Sequence, residues 1–259
     1  MRKLFILIRV ARLRMKYADI YKSANAGLAI EKLNQLKTLE PSNTAIDKKL
    51  AEIYYLKNDF SKAADAYSRF AMGPTANEED LVKYAFALFL NHDFAKSLEV
   101  ANMGLKKNPR HAAFNRLAMY NNTDLKRFEE ALKAADVFFN ECDKADYSYL
   151  DYMYYGHLLE ELKKYDEAVG QYEKAVELDP TKTDLYKNIS SVYEQKNDYK
   201  KAIGAYHKYY SSLEKEKQTP DLQFQLGRLY YGAGTQPDSL TINVEERKQA
   251  LMSADSVFQ

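Results

Sequence analysis

The side chains able to do chemistry are few and far apart. His92, His111, His157 and His207 lie in separate stretches, and none has a second histidine three or four residues away. One helix therefore cannot present two of them to a metal ion. The single cysteine, Cys142, sits in NECDKAD, where three neighbouring acids disfavour the thiolate a nucleophile needs. One cysteine also cannot close an internal disulfide. The phosphate-cradling and nucleophile-elbow patterns GxGxxG, GxxxxGK[ST] and GxSxG are missing. The expectation is a chain without a catalytic centre, a metal site or a cofactor. The chemistry left is recognition. Of 22 tyrosines, Tyr147, Tyr149, Tyr152, Tyr154 and Tyr155 crowd into nine residues, with Met153 among them. Tyr and Met offer contact area at little entropic cost.

The elements that must position these groups are constrained by composition. Across 259 residues, 46% apolar and 29% charged, the chain can bury a core. Nine glycines and six prolines are too few for a sandwich or barrel built on many turns. A net charge of +1 gives no electrostatic case for nucleic acid, and no apolar run reaches the roughly 18 residues of a membrane-spanning helix. Charge is uneven, however. Six of the 38 cations precede the first acid, Asp19, so the remainder faces 37 acids with a net −5. Residues 1–9 form a basic and apolar segment. Its apolar run LFILI, at 4–8, is shorter than the roughly 7–15 residues of a signal peptide. Ile6, Val10, Leu13, Tyr17 and Ile20 share one helical face, which suits a helix docking on the rest of the chain. A degraded export signal or a membrane-surface helix are the other readings, leaving localisation open between cytoplasmic and exported.

Self-similarity is the dominant signal. NDFSKAADAY at 58–67 returns as HDFAKSLEVA at 92–101 and NDYKKAIGAY at 197–206, with a divergent copy, KKYDEAVGQY, at 163–172. Phe60 to Phe94 is 34 residues, as is Tyr165 to Tyr199. Contiguous blocks fall at 44–77, 78–111, 149–182 and 183–216, with a 37-residue block at 112–148. A degenerate block fits 10–43 and an interrupted one covers 220–259. Within each block, position 8 is small (Ala51, Ala85, Ala118, Gly156, Ser190, Gly227), and so is position 20 (Ala29, Ala63, Ser97, Ala131, Ala168, Ala202, and Ala250 in the last). Position 17 is aromatic: Phe60, Phe94, Phe128, Tyr165 and Tyr199. Pro41, Pro74, Pro109 and Pro180 close the second helix of a block, where proline cannot continue it.

This pattern resembles the tetratricopeptide repeat family over nearly the whole chain. The resemblance implies an all-α fold, a right-handed superhelical solenoid of antiparallel helix pairs with about seven repeats. It also implies a non-catalytic scaffold that binds a protein or peptide segment in its concave groove. The turns depart from the family's usual glycine. Asn58, His92 and Asn197 stand where a left-handed residue is wanted, followed by Asp59, Asp93 and Asp198 as N-caps. Arg127 and Lys164 at the cap position weaken that signal in two blocks, and Ala26 replaces the expected aromatic in the first.

In the family, first helices present positions 2, 5, 6, 9, 12 and 13 to the ligand. Position 6 here reads Lys49, Lys83, Arg116, Tyr154, Asn188 and Gln225, counting the third with a one-residue offset. Three successive cations, flanked by Lys48 and Asn115, predict an anion-favouring stripe and an acidic partner. Glu52 at position 9 argues against the specific carboxylate clamp of some family members. Further along, Tyr154, Met153 and His157 face the groove, whereas Tyr152 and Tyr155 fall on packing positions. The rival reading is an envelope- or membrane-associated assembly adaptor directed by the basic N-terminal segment.

The last block is broken by TQPDSLTI, after which Asn243 caps a new helix with Glu246 three residues on. Val244, Arg247, Leu251, Ala254 and Phe258 form one mostly apolar stripe. Repeat arrays require a polar terminal cap. The expectation is therefore either a longer protein or self-association through Leu251, Val257 and Phe258.

Overall fold

The computed structural model describes residues 26–73, 75–142, 146–235 and 244–258. The basic N-terminal segment, Pro74, the QPDSLTI stretch that follows Thr235, and Asn243 lie outside these residues. The chain divides into two compact units, Met1–Ala145 and Asp146–Gln259.

In the first unit the helices are α1 (Ala26–Leu39), α2 (Thr44–Leu56), α3 (Phe60–Phe70), α4 (Glu78–Leu90), α5 (Phe94–Lys107), α6 (Ala112–Asp124) and α7 (Phe128–Asn140). In the second they are α8 (Tyr149–Glu161), α9 (Tyr165–Leu178), α10 (Leu185–Gln195), α11 (Tyr199–Ser212), α12 (Pro220–Thr235) and α13 (Val244–Phe258). Consecutive helices pack on one another within each unit, and no strand occurs among the described residues. The block boundaries read from the sequence fall on these elements. Phe60, Phe94, Phe128, Tyr165 and Tyr199 each open the second helix of a pair. Pro41, Pro109 and Pro180 each stand two residues beyond a helix end.

The small positions explain the pairing. Ala51, Ala63, Ala85, Ser97, Ala131, Ala168 and Ala202 are all 0% exposed. In two pairs the contact is a hydrogen bond: Ser97 Oγ donates to the Ala85 carbonyl and Ser190 Oγ to that of Ala202, both at 2.8 Å. These are positions 8 and 20 of their blocks, so the two helices meet there at backbone distance. Gly156 permits the same approach, because a Cβ on it would lie 2.9 Å from the Tyr172 ring. Tyr172 is itself fully buried, which pushes its hydroxyl pKa up, and it donates to Glu160 Oε2 at 2.9 Å. Tyr206 occupies the equivalent place one repeat later; burial pushes its pKa up to about 12, and its hydroxyl reaches the Leu222 carbonyl.

The turns between paired helices share one geometry. Asn58, His92 and Asn197 have φ of 58°, 60° and 59°, the left-handed conformation expected of them. Lys126 and Lys163 adopt it as well, at 58° and 59°, although a lysine gains nothing there. Asp59, Asp93 and Asp198 accept from the backbone N–H three residues on, whereas Arg127 and Lys164 supply no side-chain cap. The chain folds those two turns identically without the favoured residues, since the packing on either side dictates the reversal.

At the C-terminal end, α13 packs on α12 and buries Ala254. A Cβ on Gly234 would lie 2.4 Å from Leu251 Cγ. Leu251 thus packs partly on α12 of its own chain while remaining 40% exposed, and the interrupted block is completed as a helix pair. The Phe258 side chain lies outside the described residues.

Replacing Ala168 or Ala202 by Leu should overpack a helix pair and cost about 1–3 kcal/mol, measured by urea denaturation. Unchanged stability would show that these positions tolerate bulk. Lys163→Asn should instead add about 0.5–1 kcal/mol, because Asn tolerates the left-handed conformation better; an unchanged or lower midpoint would contradict the strain argument.

Candidate functional site

The residues nominated from the sequence lie on first helices in both units, and each unit handles them differently. In the first unit the cations are answered locally. Lys49 pairs with Glu52 and Lys83 with Glu79, each at 2.7 Å along its own helix. The Glu79 carboxylate holds the Lys83 ammonium above its usual pKa. Arg116 lies over the Phe138 ring at 5.1 Å. The two flanking residues are structural. Lys48 lies over the Phe70 ring and pairs at 2.7 Å with Asp80, a carboxylate buried to 1% exposure. Asn115 is buried, its amide spent on the carbonyls of Pro109 and His111.

Buried acids are the feature that sequence reading missed in this unit. Asp80 also completes a capping box with Asn77 at the start of α4. The spacing Asn77-x-x-Asp80, and Ser148-x-x-Asp151 at the start of α8, carried that signal. Asp47 carried none: it is 1% exposed and held by Lys37 from α1 and by Arg69 Nε from α3 at 3.0 Å. These contacts join helices that the sequence pattern treats as separate.

In the second unit the first helices are α8, α10 and α12, and polar bridges span from each to the next. Gln195 of α10 donates to Glu160 Oε1 of α8 at 2.6 Å. Arg228 of α12 grips both oxygens of Glu194 of α10, at 2.8 and 3.0 Å. Gln225 accepts from Arg228 Nε at 3.0 Å, and Asn188 interacts with the Tyr172 hydroxyl. Met153 packs partly buried against the core, with Tyr149, Tyr152 and Tyr155. Tyr154 is half-buried and His157 exposed. The structure adds two residues to the same face, Phe224 and Tyr231 of α12, exposed to 57% and 56%. They are four residues before and three after Arg228, and so share its stripe. Their block positions, 5 and 12, marked them in the sequence once Gly227 was placed at position 8.

The remaining histidines have local occupations. His92 forms a turn, His111 opens α6 with its ring 4.5 Å from that of Phe114, and His207 Nε2 lies 2.8 Å from the Tyr230 hydroxyl. Among the described residues no group of His, Cys, Asp and Glu could hold a metal ion, and no helix is long and apolar enough to cross a membrane.

A family model for the tetratricopeptide repeat matches residues 150–182, the block that the 34-residue period sets at 149–182. The solved structures that resemble the chain carry the same helix pairs. The chain has a tetratricopeptide repeat fold. A tetratricopeptide repeat protein from Parabacteroides merdae is similar at a TM-score of 0.64 and 19% identity, over 95% of this chain and 98% of that one. The C-terminal part of a repeat-containing protein from Cytophaga hutchinsonii gives 0.63 and 15%, over 93% and 95%. MamA from Desulfovibrio magneticus, from residue 41 to its end, gives 0.58 and 18%, over 68% and 97%. None of the curated proteins matches the chain in sequence. The repeats number about seven, consistent with the six helix pairs α2–α13 and with α1 as the second helix of the degenerate block.

Lys48→Met should leave the Asp80 charge without its partner and cost about 1–2 kcal/mol, discounted for the partial exposure of the lysine. A double-mutant cycle with Asp80→Asn, read by denaturation, should return a clear coupling energy. Additive effects would mean that the pair is not formed in solution.

Proposed function

We propose that this protein is a non-catalytic scaffold that holds a segment of a partner protein against the first-helix face of its second unit. One observation carries the reading: Phe224 and Tyr231 stand more than half exposed on α12, on the stripe of Arg228. Large aromatics left in solvent on a rigid helix supply contact area with little entropy to lose, and such residues dominate binding energy where they are found. Tyr154, Met153 and His157 extend the same kind of surface on α8. The bridges Gln195–Glu160 and Arg228–Glu194 fix the spacing between those helices, so the face is preorganised. The tetratricopeptide fold supports the reading in general, since stacked helix pairs present long exposed faces to a ligand. The first unit supports an acidic ligand less than the bare sequence suggests, because Lys49 and Lys83 already have carboxylates beside them.

Affinity capture with the folded protein, followed by titration of the identified partner, tests this. The double variant Phe224→Ser, Tyr231→Ser should bind at least tenfold more weakly while keeping its helical circular dichroism. Equal affinity of wild type and variant would overturn the assignment of the face.

A further inference from the structure

Between α10 and α12 lies a cavity of about 290 Å³, floored by Tyr206 of α11. Its walls carry Lys187, Ser191 and Glu194 from α10 and Gln225 and Arg228 from α12. The volume stands at the bottom edge of the roughly 300–1,000 Å³ of small-molecule sites. It suits one side chain of a longer segment.

The charges in this cavity do not balance. Arg228 and Glu194 neutralise each other through two hydrogen bonds, and Gln225 occupies the guanidinium Nε. That bridge between the two walls is a fixed neutral unit. Two turns before Glu194 on α10, Lys187 is exposed and forms no ion pair among the described residues. Ser191, four residues on and so on the same face of α10, is also exposed. The cavity thus holds one uncompensated positive charge with a hydroxyl donor beside it, above an aromatic floor.

We infer that this cavity is the specificity subsite of the groove, taking the carboxylate of one Asp or Glu side chain of the bound segment. The inference rests on the first-helix face of the second unit being the binding face. The incoming carboxylate accepts from the Lys187 ammonium and the Ser191 hydroxyl, and its methylene stem rests on the Tyr206 ring. A Lys or Arg side chain is refused here: it meets Lys187, and Glu194, the carboxylate in the cavity lining, is already committed to Arg228. A purely apolar side chain would leave Lys187 half-desolvated with no compensating charge. Phe224 and Tyr231, on the adjoining stripe of α12, supply the apolar contact next to the anchor.

A library of random twelve-residue peptides displayed on phage, selected in parallel on wild type, Lys187→Gln and Lys187→Glu, tests this. Wild type should select sequences with Asp or Glu at one fixed position beside apolar residues. Lys187→Gln should weaken that preference about tenfold in enrichment, and Lys187→Glu should replace it with Lys or Arg at the same position. The apolar part of the consensus should survive in all three. Selected peptides without a fixed acid, or an acid preference unchanged in Lys187→Glu, would overturn the subsite and leave the binding face standing. Failure of wild type to enrich any sequence would overturn both. Lys187 is exposed and forms no ion pair among the described residues, so neither variant should alter the melting temperature, which controls for misfolding.

Discussion

Everything in this fold depends on how closely two helices can approach at one point per pair. At positions 8 and 20 there is no side chain larger than Ala or Ser, and the backbones meet. The Ser97 and Ser190 hydroxyls reach directly to the facing carbonyls, which happens only when the helices are in contact. Bulkier residues then fill the wedge that opens on either side: Tyr67, Tyr172 and Tyr206 from the second helices, Leu159 and Val192 from the first. A pair buries too little to be stable alone, and each depends on the next to cover its remaining apolar face. In the second unit, Leu159 and Tyr172 of one pair share a cluster with Ile189 and Val192 of the following one.

Much of this was legible in the residues. Small, aromatic and proline positions recur at a fixed period because each answers a steric demand of the pair, and steric demands leave few acceptable residue types. The turns at Lys126 and Lys163 show the limit. Their sequence gives no sign of a left-handed residue, yet the flanking helices are already fixed by packing and leave the turn no alternative. Local propensity was overruled there by tertiary geometry at a cost of about 1 kcal/mol.

The polar contacts were much less legible. A lysine at position 6 reads as a free cation until its neighbours are placed. Glu79, one turn before Lys83, and Glu52, one turn after Lys49, are visible in the sequence, but their rotamers are not. Lys48 was harder still, because its partner Asp80 lies one repeat away. Phe224 and Tyr231 fall at ligand-facing positions 5 and 12 of the last block, but only their exposure of 57% and 56% shows that nothing covers them. Whether an aromatic is packing material or a contact surface depends on what the next element covers, and the break after Thr235 hides that from any reading of the period.

Asp47 has a consequence for how the array comes apart. Its carboxylate is shared between Lys37 of the preceding repeat and Arg69 of its own. In a linear array with only nearest-neighbour coupling, the boundary between melted and intact repeats settles where the coupling is weakest. Melting at the α1–α2 junction strands a desolvated carboxylate with one cation gone, so the boundary avoids it. Fraying that begins at the N-terminal end therefore tends to carry α1, α2 and α3 away together, as one cooperative block rather than helix by helix.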